Sequence, residues 1–95
     1  QEAVAKDPKG ELTPLIEHGM GKVSYSQGDY RRATENFKKS VELAPSYVES
    51  HYWLGECYLK TGKLAEAKKS FEIVMKLAPA SDFSQKAKEN LERLK

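Results

Sequence analysis

The chain repeats itself with a period of 34 residues. Laying residues 14–47 over 48–81 aligns seven identical pairs: Gly21/Gly55, Gly28/Gly62, Ala33/Ala67, Phe37/Phe71, Leu43/Leu77, Ala44/Ala78 and Pro45/Pro79. Similar pairs add Met20/Leu54, Val23/Cys57, Tyr30/Leu64 and Val41/Met75. The matches fall on small, apolar and turn positions, whereas the mismatches are mostly polar or charged. That is the pattern of a unit that keeps its packing surface and varies its solvated one. A unit this short cannot bury its apolar face alone, so copies must stack.

Local signals divide each unit into two helices. Gly28 and Gly62 stand where a first helix must end in left-handed backbone. Pro45 and Pro79 stop the second helix. Thr13-Pro14 offers a cap and a first-turn proline. Asp29 can cap the helix beginning at Tyr30, and Ser46-x-x-Glu49 and Asp82-x-x-Gln85 read as capping boxes. Helices are predicted at about 14–26, 30–43, 47–60 and 64–77. A fifth, at about 82–94, carries Phe83, Ala87, Leu91 and Leu94 at helical spacing. Gly21 and Gly55 lie mid-helix, at a cost of about 1 kcal/mol each relative to Ala. Close approach of the partner helix, with Ala33 and Ala67 facing them, is the expected compensation, and Phe37 and Phe71 are expected to fill the space between helix pairs.

These residues resemble the tetratricopeptide repeat (TPR) family, whose 34-residue unit follows a W-x2-L-G-x2-Y…A-x3-F…P pattern. The second copy reads Leu54-Gly55-x2-Tyr58…Ala67-x3-Phe71…Pro79, and the first Met20-Gly21…Ala33-x3-Phe37…Pro45. His51 departs from the family's usual Trp, with Trp53 two residues on, and the first copy has Glu17 and Ser24 at the large aromatic positions. The resemblance implies an all-α, right-handed α-solenoid of antiparallel helix pairs, with about five helices. Its division would be an N-terminal linker or the remnant of a preceding repeat at 1–13, repeats at 14–47 and 48–81, and a capping helix at 82–95. "AVAKDP", Ala3 to Pro8, is similar to the close of a second helix, "SVELAP" or "VMKLAP". Because the chain opens on Gln1, it reads as a piece of a longer or processed protein.

Catalytic and metal signatures are missing from the sequence. His18 and His51 lie 33 residues apart, and the one cysteine, Cys57, is six from His51, which is not metal-ligand spacing. Cys57 is expected to pack between paired helices, and one cysteine allows no internal disulfide. Gly19-Met20-Gly21-Lys22 has no strand before it and is no phosphate loop. No Ser/His/Asp arrangement is visible. The expectation is a non-enzyme with no cofactor and no metal. The net charge of +2 is too balanced to imply nucleic acid by itself, and no apolar stretch reaches the roughly 20 residues needed for membrane insertion. Arg31-Arg32, Lys38-Lys39 and Lys68-Lys69 alternate with glutamates on the second helices. They read as a solvated face with i,i+4 pairs such as Glu35–Lys39.

The resemblance implies a protein-interaction scaffold, with a protein or peptide bound in a concave groove lined by the first helix of each pair. The positions expected to face that groove are His18, Lys22, Tyr25 and Ser26, then Glu49, Tyr52, Trp53, Glu56 and Lys60, with Lys86, Asn90 and Arg93 from the capping helix. Tyr52 and Trp53 are the expected anchors, although Trp53 could equally pack against the preceding pair. The Lys/Asn/Arg carboxylate clamp of some TPR co-chaperones is incomplete: His18 replaces its Lys, Lys22 its Asn, and Glu56 would oppose a carboxylate. The alternative function is self-association. Leu15, Ile16 and Val23 are apolar with no certain partner, and two repeats plus a cap fall short of the three or so that stack comfortably.

Overall fold

Two left-handed glycines set the architecture. Gly28 and Gly62 adopt φ of 80° and 79°, where a side chain would be strained. Each ends a first helix in a Schellman turn. Gly28 N–H donates to the Tyr25 carbonyl and Asp29 N–H to that of Ser24; Gly62 and Lys63 repeat this with Leu59 and Tyr58. The chain reverses twice in the same way.

In a computed structural model, residues 12–94 are described. They form α1 (Thr13–Ser26), α2 (Tyr30–Leu43), α3 (Val48–Lys60), α4 (Leu64–Leu77) and α5 (Asp82–Arg93). The predicted 1–13 segment lies outside the described residues except for its last two. Each helix packs against the next, α1 on α2 and α3 on α4 most extensively. The first helices also touch one another, α1 with α3 and α3 with α5, whereas α2 and α4 approach less. A stack joined more closely along its first helices curves with those helices inside. The body measures 47 × 28 × 18 Å, the outline of stacked hairpins.

The core has two parts bridged by the rings of Trp53 and Tyr58. Ala33, Phe37, Leu54 and Cys57 fill the junction between the pairs. Tyr52, Ala67, Phe71, Val74 and Ala87 fill the junction with α5. Trp53 packs against both.

The mid-helix glycines meet the expected close approach of the partner helix, made by a different group. A Cβ on Gly21 would lie 2.8 Å from the Phe37 ring, and one on Gly55 would lie 2.7 Å from the Phe71 ring. The partner helix does approach closely, but the phenylalanine ring rather than Ala33 or Ala67 occupies the space.

Helix starts also differ in detail. Asp29 caps α2 as expected, accepting from Arg32 N–H at 3.2 Å. Thr13 is the first helical residue of α1 rather than its cap. The Ser46 box does not form, because Tyr47 N–H closes a turn on the Ala44 carbonyl and moves the cap position to Tyr47. One period on, the same turn closes from Ser81 N–H to Ala78, and Ser81 rather than Asp82 caps α5 by accepting from Ser84 N–H at 3.1 Å. The Glu35–Lys39 pair does not close either; among the described residues the one ion pair is Arg32–Asp29. α2 and α4 end two residues before Pro45 and Pro79, whose preceding alanines turn to extended φ of −137° and −145°.

Candidate partner-binding face

The inner side of the curve is built from two columns of side chains set by the repeat period. His18, Tyr52 and Lys86 share one position on α1, α3 and α5, and Lys22, Glu56 and Asn90 share another. Trp53 stands at the centre. Tyr25 and Tyr52 meet its ring edge-on at 5.2 and 5.5 Å, and Lys22 Nζ sits 6.0 Å from its centroid. Lys60 sits over Tyr30, and Lys86 over Phe83. Glu49 is exposed at the start of α3, and Ser26 is exposed at the end of α1.

Three of the residues expected to lie outside the core are buried. Tyr52 keeps only 8% of its surface exposed, and its hydroxyl donates to Glu56 Oε2 at 2.6 Å. Asn90 Nδ2 donates to the same oxygen at 3.1 Å, and Arg93 donates to Asn90 Oδ1 at 3.3 Å. This network ties α5 to α3. Burial, then the Glu56 carboxylate, raises the Tyr52 pKa above its ordinary value. Burial and then Glu56 likewise push Tyr25 up to about 12. Both phenols are therefore neutral donors at physiological pH.

The third buried residue is His18, and it belongs to a group that sequence reasoning missed. His18 Nδ1 contacts Ser50 Oγ at 2.7 Å, Ser50 Oγ contacts Ser40 Oγ at 2.7 Å, and Ser40 Oγ donates to the Pro14 carbonyl at 3.0 Å. A carbonyl only accepts, so the Ser40 proton is fixed there. For all three contacts to be hydrogen bonds, Ser50 donates to Ser40 and His18 donates Nδ1–H to Ser50. The imidazole cannot then serve as a base toward Ser50 through that nitrogen, and Ser50 is fully buried. The arrangement is a structural seam between α1, α2 and α3. Its signal was present: Ser40 follows Ala33 and Phe37 at helical spacing, on the apolar stripe of α2. Tyr47 stacks on His18 at 4.9 Å. Burial lowers the His18 pKa; Glu49 opposes the shift and Lys22 adds to it.

His51 and Cys57 are also packing residues. His51 is buried and its Nε2–H donates to the Pro45 carbonyl at 2.8 Å. Cys57 is fully buried, and burial raises its thiol to about 11. Among the described residues no cluster of His, Cys, Asp or Glu could hold a metal, and no helix is long and apolar enough to cross a membrane.

A family model described as tetratricopeptide repeat matches residues 24–91. The chain belongs to the TPR family. Among curated relatives of this TPR chain, an uncharacterized TPR repeat-containing protein of Arabidopsis thaliana is 34% identical over 62% of the chain and 7% of its own length. Tetratricopeptide repeat protein 21B of Mus musculus is 34% identical over 59% of the chain and 4% of its own. RNA polymerase-associated protein CTR9 of Caenorhabditis elegans is 30% identical over 80% of the chain and 6% of its own. The TPR chain thus spans less than a tenth of the relatives it matches. The crystal structure of a TPR domain protein from Salinibacter ruber superposes with a TM-score of 0.78 at 18% identity, covering 85% of this chain and 93% of that one. The all-α TPR solenoid is shared. TPR repeats generally mediate protein–protein interaction and are in general non-catalytic scaffolds.

Proposed function

We propose that this TPR chain binds a segment of a partner protein along α1, α3 and α5, as part of a larger protein. What supports this reading is the row of three abutting first helices, with Lys22 and Tyr25 against the Trp53 ring and Lys60 and Lys86 exposed on the same row. Glu49, Glu56 and Asn90 border it, while His18 and Tyr52 hold it from beneath. A relative named as RNA polymerase-associated fits a role within an assembly. The test is selection of phage-displayed random dodecapeptides on the immobilised chain, with each enriched peptide mapped by NMR. The reading requires shifts centred on the Trp53 indole N–H. Peptides that shift only α2 and α4, or no enrichment, would refute it.

Self-association through α1 is the second reading, and one observation favours it. Leu15 is 56% exposed, and Met20 and Val23, 50% and 57% exposed, line a cavity of about 460 Å³ with Ile16 and Gly19. One period after Ile16, Met20 and Val23, Ser50, Leu54 and Cys57 are buried against the preceding pair, whereas Glu49, one period after Leu15, is exposed. Light scattering from micromolar to about millimolar concentration decides: a constant single-chain mass removes this reading.

A further inference from the structure

Each first helix after α1 is covered by two adjacent residues near the end of the preceding second helix. On α3 these are Ser40 and Val41. Ser40 Oγ meets Ser50 Oγ at 2.7 Å, and Val41 packs against the cluster that holds Leu54 and Cys57. One period on they are Val74 and Met75, which pack in the cluster that α5 closes with Ala87 and Leu91. The positions on α1 that correspond to Ser50, Leu54 and Cys57 are Ile16, Met20 and Val23. These three line a cavity along α1 and α2, with Met20 and Val23 half or more exposed.

The sequence contains a third covering pair. Lys38 to Ala44 and Glu72 to Ala78, each running up to its proline, share one order of burial: exposed, exposed, buried, half-buried, exposed, exposed, half-buried. Gln1 to Asp7, running up to Pro8, have side chains suited to that order. Gln1 and Glu2 are polar, Ala3 and Val4 fall on the buried and half-buried places, and Lys6 falls on an exposed one. Asp7 is the departure, standing where Ala44 and Ala78 are half-buried. The opposing positions agree as well. The polar pair Ser40–Ser50 becomes Ala3–Ile16, and Val41 with Leu54 and Cys57 becomes Val4 with Met20 and Val23, apolar on both sides. Pro8 lies 37 residues before Pro45 rather than 34. The three extra residues fall in the connection to α1, and lengthening a loop costs little closure entropy. A second copy stacked head to tail fits this face poorly. Its α5 turns Gln85, Lys88, Glu89 and Glu92 outward, and these would be pressed against Met20 and Val23.

We propose that the occupant of this face is the chain's own N-terminal segment: Ala3 packs on Ile16, and Val4 on Met20 and Val23, in the last turn of a helix that stops before Pro8. These N-terminal residues lie outside the described ones. The segment makes α1 an interior helix of the stack, so the face is a junction between repeats and not a contact between chains. The inference is independent of the groove reading, because none of these residues lines the groove, and it competes with self-association for the same face.

Methyl NMR on the whole chain tests it. Nuclear Overhauser contacts are expected from the Val4 methyls to the Met20 methyl and the Val23 methyls. Mixing isotope-labelled with unlabelled chains shows whether those contacts lie within one chain. Val4→Asp should abolish them and shift the Met20 and Val23 signals, while the Trp53 indole N–H, which reports the fold, stays in place. Lys6→Ala, on the solvent side, should change none of these signals. A parent chain without Val4 contacts overturns the proposal, and so does a Val4→Asp variant whose Met20 and Val23 signals match the parent's. Contacts from Met20 or Val23 to another copy overturn it in favour of self-association.

Discussion

At the residue scale, the mid-helix glycines have opposite roles. Gly21 and Gly55 leave room for a buried phenylalanine ring, whereas a Cβ on Gly19 would meet nothing within 4 Å. Gly19→Ala should therefore stabilise by about 0.5–1 kcal/mol through helix propensity alone. Gly55→Ala gains the same propensity but drives a methyl into the rigid Phe71 ring. Overpacking of about 1–3 kcal/mol outweighs it, for a net loss of up to about 2.5 kcal/mol. Urea midpoints of the two variants should move in opposite directions; a shared direction would refute the ring-clearance explanation. His18 gives a pH signature. Its folded pKa is lowered by burial, so the unfolded chain binds the proton more readily. The stability this contributes is present above the unfolded value near 6.5 and is lost as pH falls through the folded pKa. Unfolding followed between about pH 7.5 and about pH 5.5 should show this fall, and His18→Gln should flatten it.

At the scale of the element, one turn is used twice with different success. Tyr47 and Ser81 are one period apart and close the same turn, on Ala44 and Ala78, but only serine has a side chain that can cap. Ser81→Ala should lower stability by about 1 kcal/mol, whereas Ser46→Ala should change it by less than about 0.5 kcal/mol. Thermal melts of the pair would test this, and a larger effect at Ser46 would restore the capping box. The helices themselves were legible because glycine, proline and apolar spacing act locally. The cap positions were not, because the turn after each proline is closed by backbone atoms that carry no residue-type signal. The burial of His18, Tyr52 and Asn90 was hidden for a related reason. A polar residue on an inner face reads as solvated until its hydrogen-bond partner is located, and those partners, Ser50 and Glu56, lie on other helices or a turn away.

For the whole molecule, α5 is a lid on the second junction. Phe83, Ala87, Leu91 and Leu94 cover the Tyr52–Phe71–Val74 cluster, and Asn90 completes the hydrogen bonding of Glu56. A chain ending at Ala80 would uncover that cluster, as happens in any solenoid without its terminal helix. It should lose its cooperative melt and elute as aggregate in size-exclusion chromatography. A sharp, monomeric melt would show that the two pairs suffice.

The two junctions of the stack are fastened by different chemistry. The first has Ser50 bonded to both His18 and Ser40; at the matching places the second has Ser84, Tyr52 and Val74, with valine and phenylalanine packing at its centre. The repeats are therefore keyed rather than interchangeable parts. Copying either unit into the other's slot would set a hydroxyl against valine or leave a histidine proton unclaimed, so the order of the units is written into the seams between them.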